Sequence, residues 1–241
     1  MNRRLLHLFF GLALLLSSCA KEFTELNLPR VALPPPQPCD PPTVTDIDGN
    51  VYVTVQIRSQ CWIQSNLKVS RYRNGDNISN NTENTAWSQT STGAWCNYSN
   101  SSANDALYGK LYNWYAVNDS RGLCPTGWHV PSDGEWKTLT EFLGGESGAA
   151  LKSTATQPTP GGWIAQYPVV TNSSGFTGLP GGDRASGGGF GDLGYTANWW
   201  SSSDAGSRYA WFRYLGYPYA PGGRNNNDFH QSGFSVRCVR D

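Results

Sequence analysis

Few side chains of this sequence have the types and spacing that catalysis requires. His129 and His230 are the only histidines after residue 18, and no partner residues that would make either one a catalytic base can be identified. Residues 189–194 match GxGxxG, but a dinucleotide site also needs a preceding strand and a following helix. Asp133 and Glu135 stand where first-turn charges stabilise a helix, so they are not paired catalytic carboxylates. We therefore predict no catalytic residues, no metal site and no cofactor.

The side chains best suited to binding lie between residues 199 and 231. This segment combines tyrosine, tryptophan, arginine and asparagine with glycine, which is typical of binding loops because it offers rigid contact area and adaptable hydrogen bonds. Aromatic faces beside amide and guanidinium groups also suit sugar rings. Some of the aromatics, including Trp200 and Trp211, are expected to face the core. The predicted ligand-binding residues are Trp199, Tyr209, Tyr217, Tyr219, Arg224, Asn225, Asn226 and Asn227.

The cysteines indicate disulfides. Five of them follow residue 19, namely Cys39, Cys61, Cys96, Cys124 and Cys238, and no pair has the CxxC spacing of zinc or thioredoxin-like sites. In an exported protein such residues are more often disulfide partners than metal ligands. We predict a disulfide between Cys124 and Cys238, which would tie the end of the chain to the centre of the domain. Cys61 would then pair with Cys39 or with Cys96, and the sequence leaves both pairings open.

The first nineteen residues have the pattern of an export signal. Two arginines precede an apolar stretch, residues 5–16, that is too short for a permanent membrane span. The run Leu16-Ser17-Ser18-Cys19 resembles the lipobox of bacterial lipoproteins, in which the cysteine is acylated and becomes the new N-terminus. This resemblance implies that residues 1–18 are a signal peptide and that Cys19 anchors the protein in a membrane. We expect an extracytoplasmic protein on the cell envelope, at the outer membrane.

Charge and composition bear on the class of partner. The net charge is zero, charged residues make up 15% of the chain and aromatic residues 13%. A nucleic-acid-binding protein normally has a basic excess, so we expect no nucleic-acid partner.

Several elements are expected to position the side chains described above. Residues 19–42 form a proline-rich tether. Asp48-Gly49 lies between valine-rich runs and predicts a β-hairpin. The stretch from Asp46 begins like a calcium-binding EF-hand loop, but Ile57 stands at its twelfth position, where such a loop has a glutamate ligand. Ser132 with Glu135 predicts a capped helix, and residues 107–117 a second helix. We predict strands at residues 198–202, 209–214 and 234–239. Residues 74–104 are predicted to form a long irregular segment on the surface. Residues 43–241 would form one α+β domain.

An ordered set of sequence phrases closely resembles the Fibrobacter succinogenes major paralogous domain, which is common in lipoproteins of Bacteroidetes and Fibrobacteres. The resemblance covers residues 43–241 and implies no activity, because none is established for the family. The phrases are DIDGNVY at residues 46–52, YGKLYNWYAV at 108–117, LCPTGWHVPS at 123–132, NWWSS at 198–202 and GFSVRCVR at 233–240.

A weaker resemblance concerns the fold. Residues 128–136, WHVPSDGEW, are similar to a stretch of the formylglycine-generating, sulfatase-modifying family, which shares its architecture with C-type lectin-like domains. This resemblance implies a small twisted antiparallel sheet, two helices and long loops that carry binding. The catalytic cysteine pair of the former and the carbohydrate-coordinating triplets of the latter have no match here, so neither activity carries over.

These observations predict a non-enzymatic binding or adhesion module for glycans or proteins. The alternative is a structural component of the cell envelope that has no small ligand.

Overall fold

The computed structural model describes residues 35–145, 148–165, 170–217 and 222–241. The predicted signal peptide, Cys19, most of the predicted tether and Tyr219 lie outside these residues. In the part of the chain that is described, no helix combines the length and the apolar composition that crossing a membrane requires.

The described residues contain short helices and many strands. The helices are α1 (Asn84–Gln89), α2 (Ser102–Tyr108), α3 (Trp114–Val117) and α4 (Asp133–Phe142), with 3₁₀ turns at Tyr98–Asn100 and Gly148–Ala150. The strands are β1 (Thr43–Thr45), β2 (Val51–Ile57), β3 (Gln60–Ile63), β4 (Ser79–Asn80), β5 (Ala94–Asn97), β6 (Lys110–Tyr112), β7 (Trp128–His129), β8 (Gly181–Arg184), β9 (Phe190–Leu193), β10 (Thr196–Gly206), β11 (Tyr209–Gly216), β12 (Gly222–Phe229) and β13 (Val239–Arg240).

Across the described ranges, these strands form three sheets. The strand orders are β1-β2-β3-β13-β7, β12-β11-β10-β8-β9 and β4-β5-β6. The β8–β10 and β4–β5 pairs are parallel, and the other pairs are antiparallel. Residues just before β13 connect the sheets, because Phe234 bridges to Tyr112 and Ser235 bridges to Trp199.

The predicted α+β domain with one small sheet and two helices is wrong. The described chain is mostly β, with three sheets, and is closer to a β-sandwich. The sequence of β12, GGRNNNDF, contains residues that are rare in strands. Its pairing with β11 outweighs that local preference, so the extent of the second sheet exceeds what the sequence pattern indicates.

The two predicted helices have different outcomes. The α4 helix is confirmed: the Ser132 side chain accepts from the Glu135 amide, and the Glu135 side chain accepts from the Ser132 amide. The single helix predicted over residues 107–117 is wrong, because α2, β6 and α3 occupy this stretch. Gly109 ends α2 with a φ of 72°, a conformation that favours glycine.

The predicted hairpin is confirmed, with a longer loop than Asp48-Gly49 suggests. Strands β1 and β2 pair in antiparallel register from Thr45–Val51 onward. The loop is held by Asp46, whose Oδ1 accepts hydrogen bonds from the amides of Asp48 at 2.9 Å and Asn50 at 3.0 Å. Gln37, Cys39 and Pro42, assigned from the sequence to the tether, are hydrogen-bonded to Gln56 and Thr54 of β2.

Disulfides join Cys124 to Cys238 and Cys39 to Cys61. Cys96 is buried and forms no disulfide with any described cysteine, so the alternative pairing of Cys61 with Cys96 is wrong. Burial raises the pKa of the Cys96 thiol to about 11, which keeps it protonated at neutral pH.

A buried guanidinium lies at the centre of the core. Arg237 is fully buried and donates to Asn66 Oδ1 at 2.7 Å. It also donates to the carbonyl oxygens of Ile63, Phe176 and Thr177 at 3.1, 2.8 and 3.1 Å. Burial lowers the pKa of Arg237 to about 9, so the side chain is still a cation at neutral pH. Carbonyl oxygens satisfy a buried charge here.

Asn66 extends this arrangement into the second sheet. Its Oδ1 also accepts from Trp199 Nε1 at 2.9 Å. Its Nδ2 donates to the Tyr108 carbonyl at 2.7 Å and to Ser235 Oγ at 3.1 Å. One buried amide therefore joins α2, β10 and the segment before β13.

We predict that Arg237→Met lowers the free energy of unfolding by about 3–5 kcal/mol, because it leaves buried carbonyl oxygens without donors. The matched control is Arg240→Met, since Arg240 is exposed and donates only to the Asp40 carbonyl among the described contacts. Urea unfolding followed by tryptophan fluorescence measures both variants. Equal effects of the two substitutions would contradict the central role of Arg237.

Candidate binding surface

Most of the predicted ligand-binding residues lie on β10, β11 and β12, but the structure does not expose all of them. Trp199 is 1% exposed and its indole is bonded to Asn66, so it is a core residue rather than a ligand contact. Tyr209 is half-buried, with its ring centroid 5.0 Å from that of Phe229. Side chains alternate between the two faces of a strand, and the sequence alone does not show which set faces the core.

Arg224 is partly exposed but is tied to the N-terminus of α4. Its Nε and Nη2 donate to the two carboxylate oxygens of Asp133 at 2.8 and 2.7 Å, and its guanidinium lies 3.7 Å from the centre of the Trp211 ring. The buried Arg213 also donates to Asp133, at 2.8 Å. The Arg224 side chain therefore connects β12 to α4, and its prediction as a freely available ligand contact is corrected.

The environment of Asp133 is dominated by these two cations. Burial alone would raise the pKa of Asp133, but hydrogen bonds from Arg224 and Arg213 more than offset it, so the pKa lies below its usual value. The carboxylate also lies at the helix N-terminus, where a negative charge is favourable. Asp133 is thus ionised at neutral pH and joins three elements.

The three asparagines lie on β12, which is the edge strand of the second sheet. Asn225 is half-buried, and its side-chain oxygen accepts from the Asn226 amide at 2.7 Å. Asn226 and Asn227 are exposed. Exposed amides at a sheet edge can donate and accept hydrogen bonds, so these two residues remain ligand candidates.

Tyr217 is exposed and lies beside a residue that the sequence analysis missed. Its amide donates to the Tyr195 carbonyl at 2.9 Å, and the two ring centroids are 6.2 Å apart in an edge-to-face arrangement. Ile164 lies next to this pair, since its amide donates to the carbonyl of Gly194, the residue before Tyr195. Ile164, Tyr195 and Tyr217 are exposed by 37, 46 and 37%, and we call these three residues the Tyr195–Tyr217 surface.

The signal that would have identified Tyr195 is not local. Tyr195 stands opposite Tyr217 because β10 and β11 pair with Thr196 against Gly216. That register depends on the whole length of both strands, so the pair cannot be recognised from either segment alone.

Both histidines are held by neighbouring groups. His129 Nε2 lies 2.7 Å from Glu135 Oε1, and Nδ1 lies 2.6 Å from Asp241 Oδ1. Burial disfavours the charged ring, but these carboxylates raise the pKa of His129 above its usual value. His230 stacks on Trp114 at 4.3 Å. Each ring therefore has a structural role.

The structure also bears on two other kinds of site, a dinucleotide site and a metal site. Residues 190–193 of the GxGxxG match form β9, which is followed by another strand, whereas a dinucleotide site requires a helix there. In the described ranges no group of three or more His, Cys, Asp or Glu side chains that could hold a metal ion was found.

The fold and this surface define a mostly β, disulfide-containing domain that presents aromatic and amide side chains at one sheet. The chain belongs to the Fibrobacter succinogenes major domain family, whose model matches residues 55–240. Comparisons with curated proteins and with solved structures found no match. The resemblance to formylglycine-generating and lectin-like proteins is not confirmed.

We predict that Asp133→Asn lowers the free energy of unfolding by about 1–3 kcal/mol at pH 7, because it weakens charge-assisted bonds from two arginines. A depressed pKa stabilises the fold above the unfolded-state pKa, and this contribution is lost as the pH falls through the folded-state value. The difference between Asp133→Asn and wild type should therefore shrink in acid.

Urea unfolding at several pH values tests this prediction. Glu141→Gln is the matched control, since Glu141 lies on the same helix in an exposed ion pair with Lys137 and should change stability by less than about 0.5 kcal/mol. A pH-independent effect of Asp133→Asn would contradict the electrostatic explanation.

Proposed function

We propose that this protein is a non-enzymatic binding or adhesion module for glycans or proteins, anchored at the cell envelope by acylated Cys19. The lipobox-like run before Cys19 supports the anchor. The Cys39–Cys61 and Cys124–Cys238 disulfides suit an oxidising compartment outside the cytoplasm. We expect this location to be the outer membrane.

The observation that carries the binding function is the Tyr195–Tyr217 surface. Its two tyrosine rings are exposed, yet their backbones are joined by a hydrogen bond that continues the β10–β11 ladder. Rigid aromatic side chains give large contact area at a small entropy cost. Such a surface suits the apolar face of a sugar ring or an apolar side chain of a protein partner.

Charge supports the same classes of partner. The chain has no net charge, so it lacks the basic excess with which proteins attract a nucleic-acid backbone. Binding to a neutral glycan or to a protein surface does not require a basic excess.

The alternative proposal is a structural component of the cell envelope. It is favoured by an exposed apolar face on β2, where Val51 and Val53 are 63 and 51% exposed. Thr45 and Thr43 stand opposite them on β1. Contiguous exposed apolar surface is a feature of protein–protein contact sites.

The anchor is tested by Cys19→Ser. The full chain should fractionate with membranes and carry the mass of attached acyl chains, whereas Cys19→Ser should lack both, because the thiol is the acylated group. Ser18→Ala is the control, since it keeps the cysteine and a small residue before it. A wild-type chain of unmodified mass in the soluble fraction would contradict the proposed anchor.

Binding through the Tyr195–Tyr217 surface is tested by Tyr195→Ala and Tyr217→Ala. We expect each to weaken binding to an extended glycan or protein partner by about fivefold or more, because aromatic contact area is lost. Glycan arrays and pull-downs from envelope extract identify the partner, and titration measures the change.

Leu107→Ala is the matched control, since Leu107 on α2 is comparably exposed at 40%. Unchanged affinity of both tyrosine variants would place the binding site elsewhere. A wild-type protein that binds nothing in either screen would favour the structural alternative.

A further inference from the structure

A polar pocket lies away from the Tyr195–Tyr217 surface. It is formed by the loop at residues 91–93, by Trp114 and Tyr115 of α3, and by residues 118–121, and it has a volume of about 300 Å³. We call it the α3 pocket. Small-molecule sites typically have volumes of about 300–1,000 Å³, so one compact ligand fits this space.

The backbone around the α3 pocket is fixed by Asn113, which is fully buried. Asn113 Oδ1 accepts from the amides of Ala94 at 2.9 Å and Ala116 at 3.0 Å, and Nδ2 donates to the Thr92 carbonyl at 2.9 Å. This one side chain holds the 91–93 loop against α3. A ligand would therefore meet a wall that is already ordered, which lowers the entropy cost of binding.

The aromatic wall is also held in place. Trp114 stacks on His230 at 4.3 Å and donates from Nε1 to the Ser201 carbonyl at 2.9 Å. The half-buried Tyr115 ring meets His230 edge-on at 5.6 Å, and its hydroxyl accepts from Gln231 Nε2 at 3.2 Å. The Tyr115 hydroxyl proton is still available for donation to a ligand.

The opposite wall carries a guanidinium, Arg121, that is paired with carboxylates. Arg121 donates from Nε and Nη2 to Asp119 at 2.9 and 2.8 Å and from Nη1 to Asp76 at 3.1 Å. The Arg121 hydrogen bonds hold the pKa of Asp119 at about 2, so it is an ionised acceptor at neutral pH. Two carboxylates thus accompany one guanidinium, and this wall has no positive excess that would attract an anion.

The remaining lining groups are hydroxyls and an amide. Ser91, Thr92 and Ser120 are exposed, and so is Asn118, which follows α3 as its C-terminal cap. Hydroxyls and amides both donate and accept hydrogen bonds. A ligand with several hydroxyl groups and an apolar ring face satisfies this set together with the Tyr115 ring, whereas a charged ligand or a purely apolar one does not.

We propose that the α3 pocket binds one neutral saccharide unit, with the Tyr115 ring against the sugar face and with Asn118 and Asp119 hydrogen-bonded to its hydroxyls. This proposal rests on the binding function proposed above and adds a second site, separate from the Tyr195–Tyr217 surface. Specificity among neutral sugars would then depend on which hydroxyls reach Asn118 and Asp119.

The test uses the full chain in a detergent without a sugar headgroup. The probes are the methyl glycosides of glucose, galactose, mannose and N-acetylglucosamine, with glucuronic acid as the anionic comparison, and binding is measured by calorimetric titration and saturation-transfer NMR. We expect at least one neutral glycoside to bind. Tyr115→Ala should weaken it about tenfold and Asn118→Ala about fivefold, because each removes a contact worth about 1 kcal/mol or more.

Two controls isolate the pocket. Asn80→Ala removes an exposed amide on β4, and Leu107→Ala alters an exposed side chain on α2; neither should change glycoside affinity. Tyr115→Phe keeps the ring and should weaken binding less than Tyr115→Ala. Thermal unfolding of every variant verifies the fold, and Asn118→Ala changes an exposed side chain that no described contact needs.

Three results would overturn the proposal. In the first, Tyr115→Ala and Asn118→Ala leave glycoside affinity unchanged, or Tyr217→Ala abolishes it, which refutes the pocket while the proposed binding function stands. In the second, glucuronic acid binds more tightly than every neutral glycoside, which refutes the neutral class. In the third, no glycoside binds, and the proposed function then rests on a protein partner or an extended glycan at the Tyr195–Tyr217 surface.

Discussion

The fold depends on one buried cation whose hydrogen bonds go to an amide and to backbone carbonyls. Arg237 is fully buried and bonds to the carbonyl oxygens of Ile63 and Phe176 and to Asn66. A buried charge is costly unless it is fully hydrogen-bonded. Each carbonyl must therefore be held in place, and this requirement links β3, the segment around Phe176 and the segment before β13. The second sheet is joined through Asn66 and Trp199.

A second guanidinium follows the same rule at the third sheet. Arg184 of β8 is fully buried and donates to the carbonyl oxygens of Asn81, Thr82 and Gly188 at 2.6, 2.8 and 2.8 Å. Its guanidinium lies 4.4 Å from the centre of the Trp87 ring. Asn81 and Thr82 belong to residues 74–104, which were predicted to form a long surface segment. Their bonds to Arg184 attach this segment to β8 of the second sheet. The backbone at Asn81, Thr82 and Gly188 is held in place because its carbonyl oxygens accept hydrogen bonds from one buried arginine.

Local signals were sufficient for some parts of the structure and insufficient for others. The α4 helix could be predicted because Ser132 and Glu135 cap it within one turn. The β12 strand could not, since its glycines and asparagines disfavour strands and only pairing with β11 orders them. For the binding surface, residue types identified Tyr217. The side on which Trp199 lies, the use of Arg224 by Asp133 and the neighbour Tyr195 all follow from register and long-range contacts.

The Cys39–Cys61 disulfide has a mechanical consequence for an anchored protein. Under a pull on residues before Cys39, the bridge between Gln37 and Gln56 of β2 would take the first load. Once that hydrogen bond is broken, tension would pass through the disulfide into β3 and bypass the β1–β2 hairpin. Strand β3 pairs with β13 through Trp62 and Val239, and the neighbouring Cys238 is bonded to Cys124. Force transmitted from the proposed anchor would thus enter the interior of the first sheet, where shear is resisted by the core and by a second covalent crosslink.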